Sequence, residues 1–185
     1  MSWVPWLVGG VIAVAAVAFV LTLVYYYNRI RVLFNRIEEG WAQIDVQLKK
    51  RYDLVPNLVE TVKGYAKHER EVFEKVTAAR AGMVSGSRGE RMEASNALTG
   101  ALRTLFAVAE AYPDLKASEN FKLLQEQLDG IESKIAYARQ YYNSSVLVYN
   151  NVITTIPGMW FAGGRRKHGF LEIPEEERRA VKVEF

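Results

Sequence analysis

Apolar positions follow two regimes along this chain. Between residues 6 and 27 they run almost uninterrupted, WLVGGVIAVAAVAFVLTLVYYY, and from residue 30 onward they return at alternating intervals of four and three. The first regime predicts a bilayer-crossing helix, since such a run at about 1.5 Å per residue covers roughly 30 Å of hydrocarbon. In the second, Ile30, Phe34, Ile37, Trp41, Ile44 and Leu48 share one helix face, and Tyr52 and Val55 carry that seam to Pro56. Val59, Val62, Ala66, Phe73 and Val76 extend it beyond. A proline in a helix interior removes a backbone bond and clashes with the preceding turn, at a cost of about 3 kcal/mol. A kink or a break is therefore predicted at Pro56, with Asp53 available as an N-cap for a fresh start. The continuous phase, and the lack of glycine between Gly40 and Gly64, favour a kink over a tight reversal.

The run GMVSGSRG at 82–89 predicts a loop. A helix over 90–111 follows, with Leu98, Leu102, Leu105 and Ala109 on one face, ended by Tyr112 and Pro113. Phe121, Leu124, Leu128, Ile131, Ile135, Ala138, Tyr142, Tyr149 and Ile153 predict a long last helix, stopped by Pro157 and Gly158. The fold class is all-α: a single N-terminal transmembrane helix continuing into an antiparallel bundle of three long or four shorter helices, with an irregular tail. The division is 1–27 anchor, 28–156 bundle and 157–185 tail. By rise per residue the last helix measures roughly 55 Å and the one before it roughly 30 Å, so one apolar seam lacks an internal partner. The segment around Trp41 is the candidate for that seam, open to self-association or a partner helix, unless a bend at Pro56 folds it into its own core.

Aromatic side chains sit where the bilayer interfaces fall, Trp3 and Trp6 at one end and Tyr25, Tyr26 and Tyr27 at the other. Arg29, Arg31 and Arg36 flank only the second end, which predicts the N-terminus outside and the bundle in the cytoplasm. A cleaved signal peptide fits less well, because the run is too long and its small residues fall in the middle. Beyond Pro157, Trp160 and Phe161 followed by Arg165, Arg166 and Lys167 are candidates for lipid contact. Val181, Val183 and Phe185 alternate as a short strand would.

Charge and composition narrow the chemistry. With 24 basic and 21 acidic residues the net charge of +3 is too balanced for a nucleic-acid partner. The lack of cysteine excludes disulfides, thiol catalysis and thiolate metal sites. His68 and His168 belong to neither HExxH nor a Glu-x-x-His pair, so no metal site, cofactor or catalytic residue is expected. Asp53, Glu60 and Glu69 are carboxylates, but none has a second carboxylate placed to act across a substrate.

The stretch RYDLVPNLVETVKGYAKHE at 51–69 carries more polar detail than packing demands. Arg51, Asp53, Asn57, Glu60, Lys63, Tyr65 and Glu69, with Trp41, are the candidate partner or oligomer interface. The wording of this stretch resembles the LemA family of bacterial membrane-anchored proteins, as do WAQIDVQLKKR at 41–51, AEAYPDLKASENF at 109–121 and ARQYYNSSVLVYN at 138–150. The resemblance covers about residues 27–156. It implies a helical bundle on the bacterial plasma (inner) membrane and, because such proteins are often encoded beside HtpX-type membrane zinc metalloproteases, a role in membrane-protein quality control. The resulting expectation is a non-enzymatic scaffold or adaptor, self-associating, with the lipid bilayer and an HtpX-type protease as partners. Magnetosome-associated members of the family imply an alternative, membrane organisation or remodelling; a small-ligand sensor is the third reading.

Overall fold

In the computed structural model, residues 3–172 are described. Six helical elements occur among them: α1 Val4–Lys63, α2 Arg70–Ala81, α3 Arg88–Ala109, α4 Pro113–Ala117, α5 Glu119–Thr154 and α6 Gly158–Phe161. No strand occurs among the described residues, and the alternation at Val181, Val183 and Phe185 lies outside them.

Of the two outcomes expected at Pro56, a kink or a break, the break does not occur. α1 runs through Pro56, and the chain reverses at residues 64–69, where the amides of Tyr65 and Ala66 both donate to the carbonyl of Val62. The physical reason lies outside the helix. Pro56 has no N–H to offer the carbonyl of Tyr52 one turn earlier. Arg80 of α2 supplies the missing donor, its Nε 2.9 Å from that carbonyl, and its guanidinium lies 3.6 Å from the centre of the Tyr52 ring. A long-range side chain thus removes much of the local penalty, and the helix continues through Pro56 to the turn at 64–69.

The described residues divide between two compact units. The first comprises the described part of Met1–Gly40 together with Tyr142–Phe170, and the second is built on Trp41–Tyr141.

The second unit is a four-helix arrangement. Contacts from α1 to α3 keep a near-constant offset, Asp45 with Arg91 and Arg51 with Ser95 and Thr99, so these helices are parallel. α2 returns between them in sequence and packs on α3. Residues 43–47 and 50–54 of α1 face 130–138 and 123–134 of α5, which makes that pair antiparallel. The interior is aliphatic: Ile44, Leu48, Val55, Leu58, Val62, Leu98 and Leu105 are all but inaccessible to solvent. Trp41 lies beneath two cations of α3, with Arg88 5.3 Å and Arg91 5.5 Å from its ring centre. Tyr112 donates to Glu69 at 3.3 Å and ties the α3–α4 turn to the α1–α2 turn.

α3 begins two residues earlier than its apolar pattern implies because SRGE at 87–90 forms a capping box. Ser87 Oγ accepts from the Glu90 amide at 3.3 Å, and the Glu90 carboxylate accepts from the Ser87 amide at 2.6 Å. The Ser87 amide and hydroxyl hold the Glu90 carboxyl below its ordinary 4.5. A carboxylate whose pKa is depressed on folding adds stability that is complete above the unfolded value and lost as pH falls through the folded one. The amides of the first turn of α3 are therefore expected to exchange faster as pH drops below about 4.5, after correction for intrinsic exchange rates, and E90Q to remove that pH dependence.

The first unit pairs α1 with the end of α5. Ile30, Leu33 and Ile37 are buried on one side and Tyr142, Val146, Tyr149 and Ile153 on the other. The chain after Pro157 closes this core instead of trailing away. Asn150 of α5 grips it with two bonds of 2.9 Å, accepting from the His168 amide and donating to the His168 carbonyl. The His168 ring packs against Phe34 and Tyr149. A Cβ on Gly158 would stand 2.2 Å from the Val152 carbonyl oxygen, so only glycine permits this approach. Gly163 and Gly164, at φ 57° and 73°, then turn the chain through a conformation other residues adopt poorly.

Candidate functional site

The 51–69 stretch divides into an interior part and a surface part. Arg51 is 3% exposed and belongs to the inside of the bundle. Its Nη1 lies 2.7 Å from Glu132 of α5 and donates to Ser95 Oγ at 3.0 Å, while Nη2 donates to Thr99 Oγ1 at 2.9 Å. Thr99 Oγ1 also lies 3.2 Å from Glu132 Oε2, so one polar layer joins α1, α3 and α5. Burial pushes the guanidinium below its ordinary value, and the adjacent Glu132 carboxylate pulls it back up. The network corrects the expectation that Arg51 is offered to a partner. An arginine at this depth is tolerated because its charge and most of its donors are satisfied from within.

Trp41, expected on an open seam, is half-buried against α3, and the seam itself is covered, with Ile30, Ile37, Ile44 and Leu48 at most 1% exposed. The other members lie at or near the surface. Asp53 pairs with Lys49 at 2.6 Å and Glu60 with Lys63 at 2.9 Å, each within its own helix. Asn57 and Tyr65 are exposed, and half-buried Glu69 is engaged by Tyr112.

What the second unit leaves open is the other side of the α1–α5 pair. Val46 is 52% exposed and Tyr137 74%, and both border a groove floored by Gly130 and Ala138. The groove continues past Leu123, also exposed, with Lys50 and Lys134 beside Asp53 and Glu126. No three His, Asp or Glu side chains among the described residues gather as metal ligands would.

At the other end of α1, a window of mean hydropathy 2.8 is wholly unburied, and this helix is long and apolar enough to cross a membrane. Trp3, Trp6, Tyr25 and Tyr27 are exposed along it. Arg29 donates to the Tyr25 hydroxyl at 2.5 Å, and the Arg31 guanidinium lies 5.9 Å from the Tyr27 ring centre.

This arrangement, an apolar N-terminal helix feeding a helical bundle, coincides with a family match: the LemA family model fits residues 40–185. The chain belongs to the LemA family. Among curated proteins it is similar to the magnetosome protein MamQ of Magnetospirillum gryphiswaldense, at 27% identity over 85% of this chain and 69% of the relative. The magnetosome proteins MamQ 1 and MamQ 2 of Paramagnetospirillum magneticum are also 27% identical, over 86% of this chain and 70% of theirs. Together with the apolar helix, these relatives make this LemA-family chain a membrane-associated protein.

Three residues of the LemA-family bundle carry structural roles that the sequence pattern does not single out. Glu132 sits on a helix rich in charge, and only its nearness to Arg51 distinguishes it. Arg80 had a faint signal, since an in-helix proline leaves the carbonyl four residues earlier in need of a donor. Asn150 lay within the family wording, but its part in holding the returning chain depends on contacts across 18 residues.

Proposed function

We propose that this protein is a non-enzymatic membrane-anchored scaffold whose bundle self-associates and docks an HtpX-type membrane metalloprotease from the cytoplasmic side of the bacterial inner membrane. The carrying observation is the exposed α1–α5 groove. Val46, Tyr137 and Leu123 place apolar area outside a core that is already closed, and Lys50, Lys134, Asp53 and Glu126 put both signs of charge on the same strip. A strip carrying both signs around apolar centres is self-complementary under a two-fold axis, as a contact between identical chains requires. Membrane association and the family's genomic neighbourhood support the protease as the further partner.

A photo-crosslinking residue at position 137 in the full chain, in native membranes, is expected to yield a covalent dimer and an adduct with a membrane protease. The exposed charge variants V46E and Y137E should weaken self-association by about tenfold or more, since each anchor buries apolar area worth about 1.5–3 kcal/mol. Recovery of neither product would sink the scaffold reading. Membrane organisation is the second reading, favoured by relatives whose names place them at magnetosomes.

A further inference from the structure

The chain that returns after α5 comes to rest against the apolar part of α1. The Phe161 ring stacks on Tyr26, with centres 5.5 Å apart and planes 11° apart, and meets Phe19 at 6.3 Å. Phe19 lies about 10 Å further along the helix than Tyr26, well inside the run that the bilayer must cover. Thr22 and Tyr26, on the side facing Phe161, are the half-covered residues in a run otherwise open to its surroundings. A side chain packed on a membrane helix at that level is itself at membrane depth.

Its neighbours fit that position. Ile156 is 66% exposed, Met159 47% and Trp160 68%, apolar area that no part of the unit covers. The glycine turn at 163–164 then brings cations back beside the interfacial tyrosines. Arg165 lies 5.8 Å from the centre of the Tyr27 ring that Arg31 approaches at 5.9 Å, and Arg166 and Lys167 are exposed next to it. Two guanidinium groups drawn to one ring, with further cations alongside, concentrate like charge where anionic headgroups supply the counter-charge.

We propose that residues 156–167 form a second membrane-contacting element, its Ile156, Met159, Trp160 and Phe161 side chains in the upper acyl region beside α1 and its Arg165, Arg166 and Lys167 on anionic phospholipid headgroups. The element does not depend on the scaffold reading. Its sequence order, apolar residues first and cations after the turn, matches the order of layers met on leaving the bilayer. It holds the end of α5 to the leaflet that α1 has just left, so both helices of the first unit are fixed to the membrane.

The sequence contains no cysteine, which makes the test direct, because one introduced thiol is then the only one. W160C and, in the exposed turn after α1, Y65C are labelled with a nitrobenzoxadiazole dye in the full chain and reconstituted into phosphatidylcholine vesicles with and without phosphatidylglycerol. Shallow spin-labelled lipids should quench the label of W160C but not that of Y65C, and aqueous dithionite should reach W160C about tenfold more slowly. M159C repeats the measurement should the tryptophan variant fold poorly. R166E/K167E should speed dithionite access at position 160 in phosphatidylglycerol vesicles and leave it unchanged in phosphatidylcholine alone. Equal dithionite rates at 160 and 65 would overturn the proposal. So would a label at 160 shielded from both quenchers, since protein would then be covering it. A charge-reversal effect independent of lipid charge would overturn the headgroup contact.

Discussion

Glu132→Leu should lower the stability of the bundle by about 3 kcal/mol, among the larger effects of any single surface-reaching substitution. The change removes the carboxylate paired with Arg51, which is 3% exposed and lies between α1, α3 and α5. The figure sits at the low end for a broken buried pair because Glu132 is itself one-third exposed, so its attraction is already partly screened. Replacing both partners, as R51M/E132L, should restore most of the loss, since matched apolar groups avoid the desolvation that the single variant leaves uncompensated. Urea unfolding of the full chain in detergent, followed through Trp41, reads the comparison as a shift in midpoint at constant slope. A double variant as unstable as E132L would show that the charge pair is not the source of the effect.

Arg80→Ala is expected to cost about 2 kcal/mol, from an unpaired carbonyl on Tyr52 together with the lost stacking on its ring. The diagnostic is its coupling to Pro56. In P56A the alanine amide can donate to the Tyr52 carbonyl as in any helix, so R80A introduced there should cost about 1 kcal/mol less than in the native chain. Simple additivity of the two substitutions would mean that Arg80 does not serve as the proline's substitute donor. Hydrogen exchange along residues 50–58 should localise the change to the turn preceding Pro56.

The two cases also show where sequence reasoning succeeded and where it stopped. Periodicity identified the membrane run, the seam through Ile30, Ile37, Ile44 and Leu48, and the helices on either side of the 82–89 loop, because burial imposes spacing directly. It gave no sign of the first reversal, at residues 64–69. The proline penalty is a local quantity, and its relief by Arg80 comes from 24 residues away in sequence, while Gly64, which lies at the actual end of α1, carried the weaker signal. Arg51 stands among the interface candidates because its stretch is richer in polar groups than packing demands, and nothing adjacent announces Ser95, Thr99 and Glu132 as its companions. The returning chain was legible only in kind: Trp160, Phe161 and the basic cluster suggested lipid, but the Asn150 clamp and the Phe161 stack that give them a location are tertiary contacts.

The buried guanidinium also acts as a pawl. Aliphatic ridges tolerate slippage, since one leucine replaces another after a full turn of about 5.4 Å. Sliding α5 by that amount would bring Leu128 or Ala136 opposite Arg51 in place of Glu132, stranding a cation among hydrocarbon. Lengthwise shear between these helices is thereby opposed, leaving rotation or local fraying as the motions that keep the pair intact.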